Sequence, residues 1–287
     1  NVLKVRVMLM NGDVIELGGL APDAVGLDLL PVFIGSEGML GVVTTVWVKL
    51  VPKPRHAEVI LASFPTVQSA ADAVANVIAA GLIPAGLEMM DAASTAAVEA
   101  YLHAGYDLEA AALLLCESDG EPDVVAQEIN AMSQILREAG ATRLQVSQNE
   151  AERLKFWAGR KSAFPAAARL APDYYCMDGT IPRKSLGRIL AAIAAMEQEF
   201  GLQCLNVFHA GDGNMHPMIL FNGADPDEVE RAEHFGAKIL EASIALGGTI
   251  TGEHGVGLEK IGHMCMQFSD EERGAMWAVK AAFDPAG

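Results

Sequence analysis

The sequence has no CxxC pair: its four cysteines, at positions 116, 176, 204 and 265, are scattered. That argues against a zinc knuckle or a disulfide framework and fits a reducing cytoplasm. No apolar stretch reaches membrane-spanning length, because Gly, Pro, Asp or Lys interrupts every run. Cations are scarce. Lys and Arg number 20 against 37 Asp and Glu, for a net charge of −17 and a pI near 4.7. Such a field repels phosphate backbones, and no basic patch overrides it, which argues against nucleic-acid binding. An anionic substrate would have to be held by a few locally placed cations. Low-complexity tracts and the HExxH motif of metal hydrolases are also missing. What remains is globular in composition, 51% hydrophobic over 287 residues, enough for one large domain or two ordinary ones.

Residues 2–9 and 14–17 alternate around the turn Asn11-Gly12-Asp13, which predicts a β-hairpin followed by a loop. A glycine-bearing segment at 33–41 then feeds the β-branched run 42–50, and Pro52-Lys53-Pro54 marks a domain boundary. Strands are expected at 59–63, 87–90, 112–116, 143–147, 174–181, 204–209 and 218–221. Helices are expected between them, two with clear apolar stripes closed by Gly81 and Gly140. This order predicts an α+β fold: antiparallel sheets with helices packed on one face, ferredoxin-like. The segment from Leu258 onward reads as helical. The chain opens in strand-like alternation without an initiator Met and stops just after a helical pattern, which reads as an internal piece of a longer protein.

Two motifs carry chemistry. Val207-Phe208-His209-Ala210-Gly211-Asp212-Gly213-Asn214-Met215-His216 sets a histidine at each edge of a Gly-Asp-Gly-Asn reversal, which can bring two imidazoles to one metal ion. In 247–257, five glycines in eleven residues flank Glu253 and His254. Glycine supplies no side chain to a core, so such a run suits close approach of backbone to a ligand. Glu253 with His209 and His216 forms a two-histidine, one-carboxylate set suited to zinc or ferrous iron, and His254 remains as a nearby base. The plainer reading is a glycine-rich connection with two solvated polar residues. In Phe156-Trp157-Ala158-Gly159-Arg160-Lys161, Arg160 has the geometry to grip a carboxylate, though an ordinary helix surface would look the same. Gly35-Ser36-Glu37-Gly38 with Gly41 is a tight loop, serving either a turn or a phosphate-bearing cofactor.

Together these motifs resemble the FAD-linked 2-hydroxyacid dehydrogenases and oxidases of the vanillyl-alcohol oxidase superfamily. Within that family they are most similar to the FAD-binding D subunits of bacterial glycolate oxidases, through 156–161 and Asp173-Tyr174-Tyr175-Cys176-Met177-Asp178-Gly179-Thr180-Ile181-Pro182-Arg183. The resemblance implies three parts. Residues 1–51 would end a PCMH-type FAD-binding domain, 52–246 would form the substrate cap, and 247–287 would form an active-site loop and a C-terminal helical tail. It implies FAD contacts by Gly35, Ser36, Glu37, Gly38 and Gly41. It also implies a divalent metal (zinc or iron, with manganese a further option) on His209, His216 and Glu253, His254 as the catalytic base, and Arg160 as the substrate-carboxylate anchor.

Two departures from 2-hydroxyglutarate-type members, Met218 for an Asn and Cys176 for a Lys, remove polar groups and favour a small 2-hydroxyacid such as glycolate or D-lactate. The implied reaction is oxidation of that acid to the 2-oxoacid. Companion subunits of the glycolate oxidase type, including an iron–sulfur protein, would carry electrons onward, in a cytoplasmic setting peripheral to the inner membrane. An FAD-free metal-binding fragment, a metal-dependent hydrolase and a non-catalytic interaction module remain as alternatives.

Overall fold

The computed structural model describes every residue except 22, 24 and 25. These three positions fall in the loop expected after the hairpin, so that part of the expectation lies outside the described residues. In chain order the elements begin β1 (Val2–Met8), β2 (Val14–Gly18), α1 (Leu30–Phe33), β3 (Val42–Val48), β4 (His56–Phe64), α2 (Val67–Ala79), β5 (Gly86–Asp91) and α3 (Ala92–Leu102). There follow β6 (Ala112–Gly120), α4 (Pro122–Glu138), β7 (Arg143–Val146), α5 (Glu150–Lys161), α6 (Ala163–Ala167), β8 (Asp173–Cys176) and β9 (Gly179–Thr180). The last are α7 (Leu186–Phe200), β10 (Cys204–His209), β11 (Asn214–Phe221), α8 (Pro226–Ala245), α9 (Met264–Gln267) and α10 (Asp270–Phe283).

Two compact units result, residues 1–53 with 255–287 and residues 54–254. In the smaller, β1 pairs antiparallel with both β2 and β3. Val5, Val7, Leu17, Leu30, Phe33 and Leu40 are buried there, and Phe283 of α10 meets Phe33 edge-on at 5.8 Å. Ser269 and Glu272 close a reciprocal capping box at the start of α10. The expected helical reading from Leu258 holds for α9 and α10; residues 258–263 are turns and a short 3₁₀ segment.

The larger unit is built on an antiparallel sheet of order β7-β4-β6-β5-β10-β11-β8, with β9 also paired to β11. Its first four strands run 4-1-3-2 in their own chain order, the ferredoxin-like arrangement. The order β10-β11-β8 repeats three of those positions, and the two halves meet where β5 pairs with β10. Where the second half would have its own fourth strand, the described residues show an isolated antiparallel bridge between Thr180 and Thr249. Residues 247–254 group with the larger unit.

Strand alternation divides the core. Val59, Leu61, Leu113, Leu115, Val207 and Met218 bury one face against Val98, Phe156 and Ala163 of α3, α5 and α6. The alternate set, including Ile60, Phe64, Leu114, Phe208 and Ile219, is equally buried. The expected stripe of α2 is realised in Ala70, Ala71, Val74 and Val77, and that of α4 in Val125, Ile129, Met132 and Leu136. Those helices, with α7 and α8, pack on the strands without joining the first cluster, so helices cover both faces rather than one.

Two departures from the expected elements matter for function. The strand expected at 174–181 is broken between β8 and β9, with Met177 and Asp178 in the break. The strand expected at 218–221 instead starts at Asn214, because Gly213, at φ +81°, completes the reversal and lets pairing resume at once.

Candidate active site

Register brings the two histidines together. His209 ends β10 opposite Asn214, and His216 lies opposite Val207, so the imidazoles are diagonal neighbours on one face of the sheet. Their ring centroids are 5.1 Å apart and nearly perpendicular. On the next strand, Glu88 of β5 is paired with His209. The polar groups thus occupy one end of the face whose remainder is the apolar core.

Glu253 and His254 reach this face on the segment that replaces a fourth strand. Asp178, fully buried in the break between β8 and β9, holds that segment. Its carboxylate accepts the backbone N–H groups of Gly252, Glu253 and His254 at 2.8, 3.1 and 2.9 Å and the Thr251 hydroxyl at 2.9 Å. A side chain at position 252 would collide with the Asn214 amide, so glycine is required for this approach. Oε1 of Glu253 then lies 3.1 Å from His216 Nε2 and 3.5 Å from His209 Nε2. His254 stacks on His216, centroid to centroid 5.1 Å.

This cluster has the chemistry of a cation site. The ligand atoms of Asp178, His216, Glu253 and His254 lie mutually within 4.8 Å, as do those of Cys176, His216 and His254. His209 belongs to neither set and joins through Glu253. His216 is buried, and its Nδ1 has no hydrogen-bond partner, with Asp178 Oδ1 3.8 Å away. Burial, reinforced by the charges of His209 and Arg160, pushes its pKa down to about 4, so it presents neutral imidazole at neutral pH. The hydrogen bond to Glu88 pushes His209 the other way. These donors fit a divalent metal.

Arg160, near the end of α5, is buried, and its Nε donates to Glu88 Oε2 at 2.7 Å. The other oxygen of Glu88 pairs with His209 Nδ1 at 2.8 Å. Arg160 Nη2 stands 3.5 Å from His209 Nε2. The turn of α5 that carries Arg160 is held by Tyr106, whose hydroxyl accepts the Gly159 N–H at 2.8 Å and donates to the Phe156 carbonyl at 2.9 Å. Of the two departures, Cys176 pairs with Met218 across β8 and β11, and Met218 is fully buried on the face that carries His216. A cleft of about 730 Å³ opens beside His209, lined by Ile83, Leu87, Glu88, Arg183 and Asp212 among others.

The residues expected to contact a flavin nucleotide lie in the smaller unit. Gly35 and Gly38 have positive φ and open space where a side chain would start, whereas Gly41 is pressed against Val7 and the Met8 carbonyl. Ser36 accepts the Met39 N–H through its carbonyl. Glu37, itself at φ +52°, accepts the backbone N–H groups of Val256 and Gly257 at 2.8 and 3.2 Å. Glu88 and Asp178 were not among the expected site residues. Asp178 lies in the 173–183 motif, but the expected unbroken strand gave it no role, and Glu88 offered no signal, since only strand pairing brings it to His209.

The family model described as "FAD linked oxidases, C-terminal domain" matches residues 53–287. The chain is 55% identical over its whole length to "Glycolate oxidase subunit GlcD" of Escherichia coli (strain K12), covering 58% of that protein. It is 41% identical to the subunit of the same name in Bacillus subtilis (strain 168), with 99% of the chain aligned to 61% of that protein. It thus spans about three-fifths of the length of these relatives. A crystal structure of p-cresol methylhydroxylase with substrate bound superposes on 99% of the chain and 63% of its own, with a TM-score of 0.77 at 16% identity, a likeness of fold. The chain therefore belongs to the FAD-linked oxidase family, residues 53–287 matching its C-terminal domain.

Proposed function

We propose that the protein containing this chain oxidises a small 2-hydroxyacid, glycolate or D-lactate, to the 2-oxoacid with FAD as hydride acceptor. One observation carries the reading: Glu253 and His254, delivered by the Asp178-anchored loop, converge on His216 beside Arg160. The substrate carboxylate meets the Nη edge of Arg160, whose Nε is committed to Glu88. His209, His216 and Glu253 would hold zinc, iron or manganese, which when bound acidifies the substrate hydroxyl. His254 takes the hydroxyl proton as the 2-carbon gives up its hydride. Gly35, Ser36, Glu37, Gly38 and Gly41 would contact the flavin, which when bound would supply the two-electron acceptor. Met218 and Cys176 leave this face without the polar groups a longer diacid would need. Kinship with proteins named as glycolate oxidase subunits supports companion subunits; the reading takes one of them to be an iron–sulfur protein and the assembly to be cytoplasmic and peripheral to the inner membrane. Among the described residues, no helix is long and apolar enough to cross a membrane.

The test uses the flavin-loaded holoenzyme with glycolate and D-lactate. His254→Ala is expected to lower kcat by about 10²–10⁴-fold with flavin absorbance retained. Glu253→Ala is expected to abolish stoichiometric metal as well as turnover. Wild-type turnover in either variant defeats the assignment.

A further inference from the structure

We infer that Glu88 is a positioning residue that ties the substrate-anion anchor to the cation site, so that the two are occupied cooperatively; this rests on the function proposed above. Glu88 is buried on β5, and its two oxygens serve different partners. Oε2 accepts Arg160 Nε at 2.7 Å and Oε1 accepts His209 Nδ1 at 2.8 Å. Strand register fixes the arrangement, because Glu88 and His209 are directly paired across β5 and β10.

The chemistry follows from donor and acceptor roles. An arginine donates only, so Oε2 must accept, and an ionised carboxylate also accepts at Oε1. His209 therefore carries a proton on Nδ1, which leaves Nε2, 3.5 Å from both Arg160 Nη2 and Glu253 Oε1, as the nitrogen that faces a cation. A carboxylate on the outer nitrogen of an imidazole both orients the ring and raises its basicity toward a cation. The same carboxylate holds the guanidinium by its Nε, and the Arg160 Nη2 stands 3.5 Å from His209 Nε2. An anion settling on Arg160 draws positive charge away from His209, and a cation settling at His209 strengthens the hold on that anion. By linkage each must aid the other to the same extent.

Glutamine at 88 breaks this. It keeps the shape, but its single carbonyl oxygen cannot accept from both partners, and its amide would face one of two donors. The probe is Co²⁺, added to the metal-depleted holoenzyme and followed by its visible absorption and by calorimetry. Wild type is expected to bind one Co²⁺. Glu88→Gln should bind it about 10–100-fold more weakly, with an altered spectrum, and should raise the KM for glycolate by a larger factor than it lowers kcat. Glu88→Asp, which keeps the charge but not the reach, should fall between them. Histidine-selective ¹⁵N spectra of the unsubstituted protein, with His209 assigned by substitution, should show Nδ1 protonated, a readout that stands even if Glu88→Gln does not fold. Wild type that takes up no Co²⁺ overturns the metal reading and this inference together. Wild-type Co²⁺ affinity and spectrum in Glu88→Gln, or a His209 protonated on Nε2 with Nδ1 bare, overturns this inference alone.

Discussion

Asp178 accepts the backbone N–H of His254 at 2.9 Å, so one buried carboxylate in a strand break fixes the chain at the residue proposed to move a proton. The same side chain lies 3.8 Å from the far nitrogen of His216, and reactive loop and strand histidine share a single reference point.

Removing that point should loosen the loop before it unfolds the sheet. Hydrogen bonds to a charged group contribute about 1.5–3 kcal/mol each, and Asp178 accepts several. In Asp178→Ala, amide hydrogen exchange at Gly252, Glu253 and His254 is expected to accelerate at least about tenfold. Amides of the β4–β6 ladder should respond far less. Equal acceleration throughout would mean that Asp178 supports the whole unit and not the loop.

Tyr106 and Gly159 form a tight lock under Arg160. A methyl group at position 159 would run into the Tyr106 ring and hydroxyl. Gly159→Ala should therefore destabilise the protein by about 1–3 kcal/mol despite the better helix propensity of alanine. Tyr106→Phe, which orphans the Gly159 N–H, should cost about 1–3 kcal/mol. Urea denaturation measures both, and a stabilised Gly159→Ala would show that the ring yields freely.

Asp91 gives a pH-dependent signature away from the site. Its carboxylate caps α3 through the Ser94 N–H and accepts from the backbone and side chain of Asn206, yet burial outweighs these donors and raises its pKa. The folded protein then holds the proton to higher pH than the unfolded chain does. The group's contribution is fully present below its unfolded value, near 3.8, and is lost as pH rises through the folded value. Asparagine keeps the cap and cannot ionise. Wild type should thus lose stability relative to Asp91→Asn as pH rises from about 4, by about 1.4 kcal/mol for each unit of separation between the two pKa values. A difference independent of pH contradicts this.

Much of this was legible in the chain itself, because the informative signals are local. The stripe of α4, the β10 and β11 runs and the Gly-Asp-Gly-Asn reversal follow from periodicity and turn chemistry, and the reversal places His209 and His216 near each other. Helices on a second face were not legible: α3, α5 and α6 pack on residues whose alternation reads the same whether that face is covered or wet. The break at Met177 and Asp178 was hidden by a run of strand-forming residues, since a loop some seventy residues later supplies the donors that stabilise it. Glu88 was invisible for the same reason, its partners lying 72 and 121 positions away.

The missing fourth strand in the second half of the larger sheet has a consequence for how such a domain can diversify. A ladder strand fixes its side chains to a two-residue rhythm and punishes any insertion, whereas the stretch after the Thr180–Thr249 bridge is anchored by the Asp178 side chain instead of a ladder. Lengthening or rewriting it would re-aim the reacting groups while every other pairing in the sheet stayed as it is. The first half, with all four strands in place, offers no such latitude and presents Glu88 from a fixed ladder position.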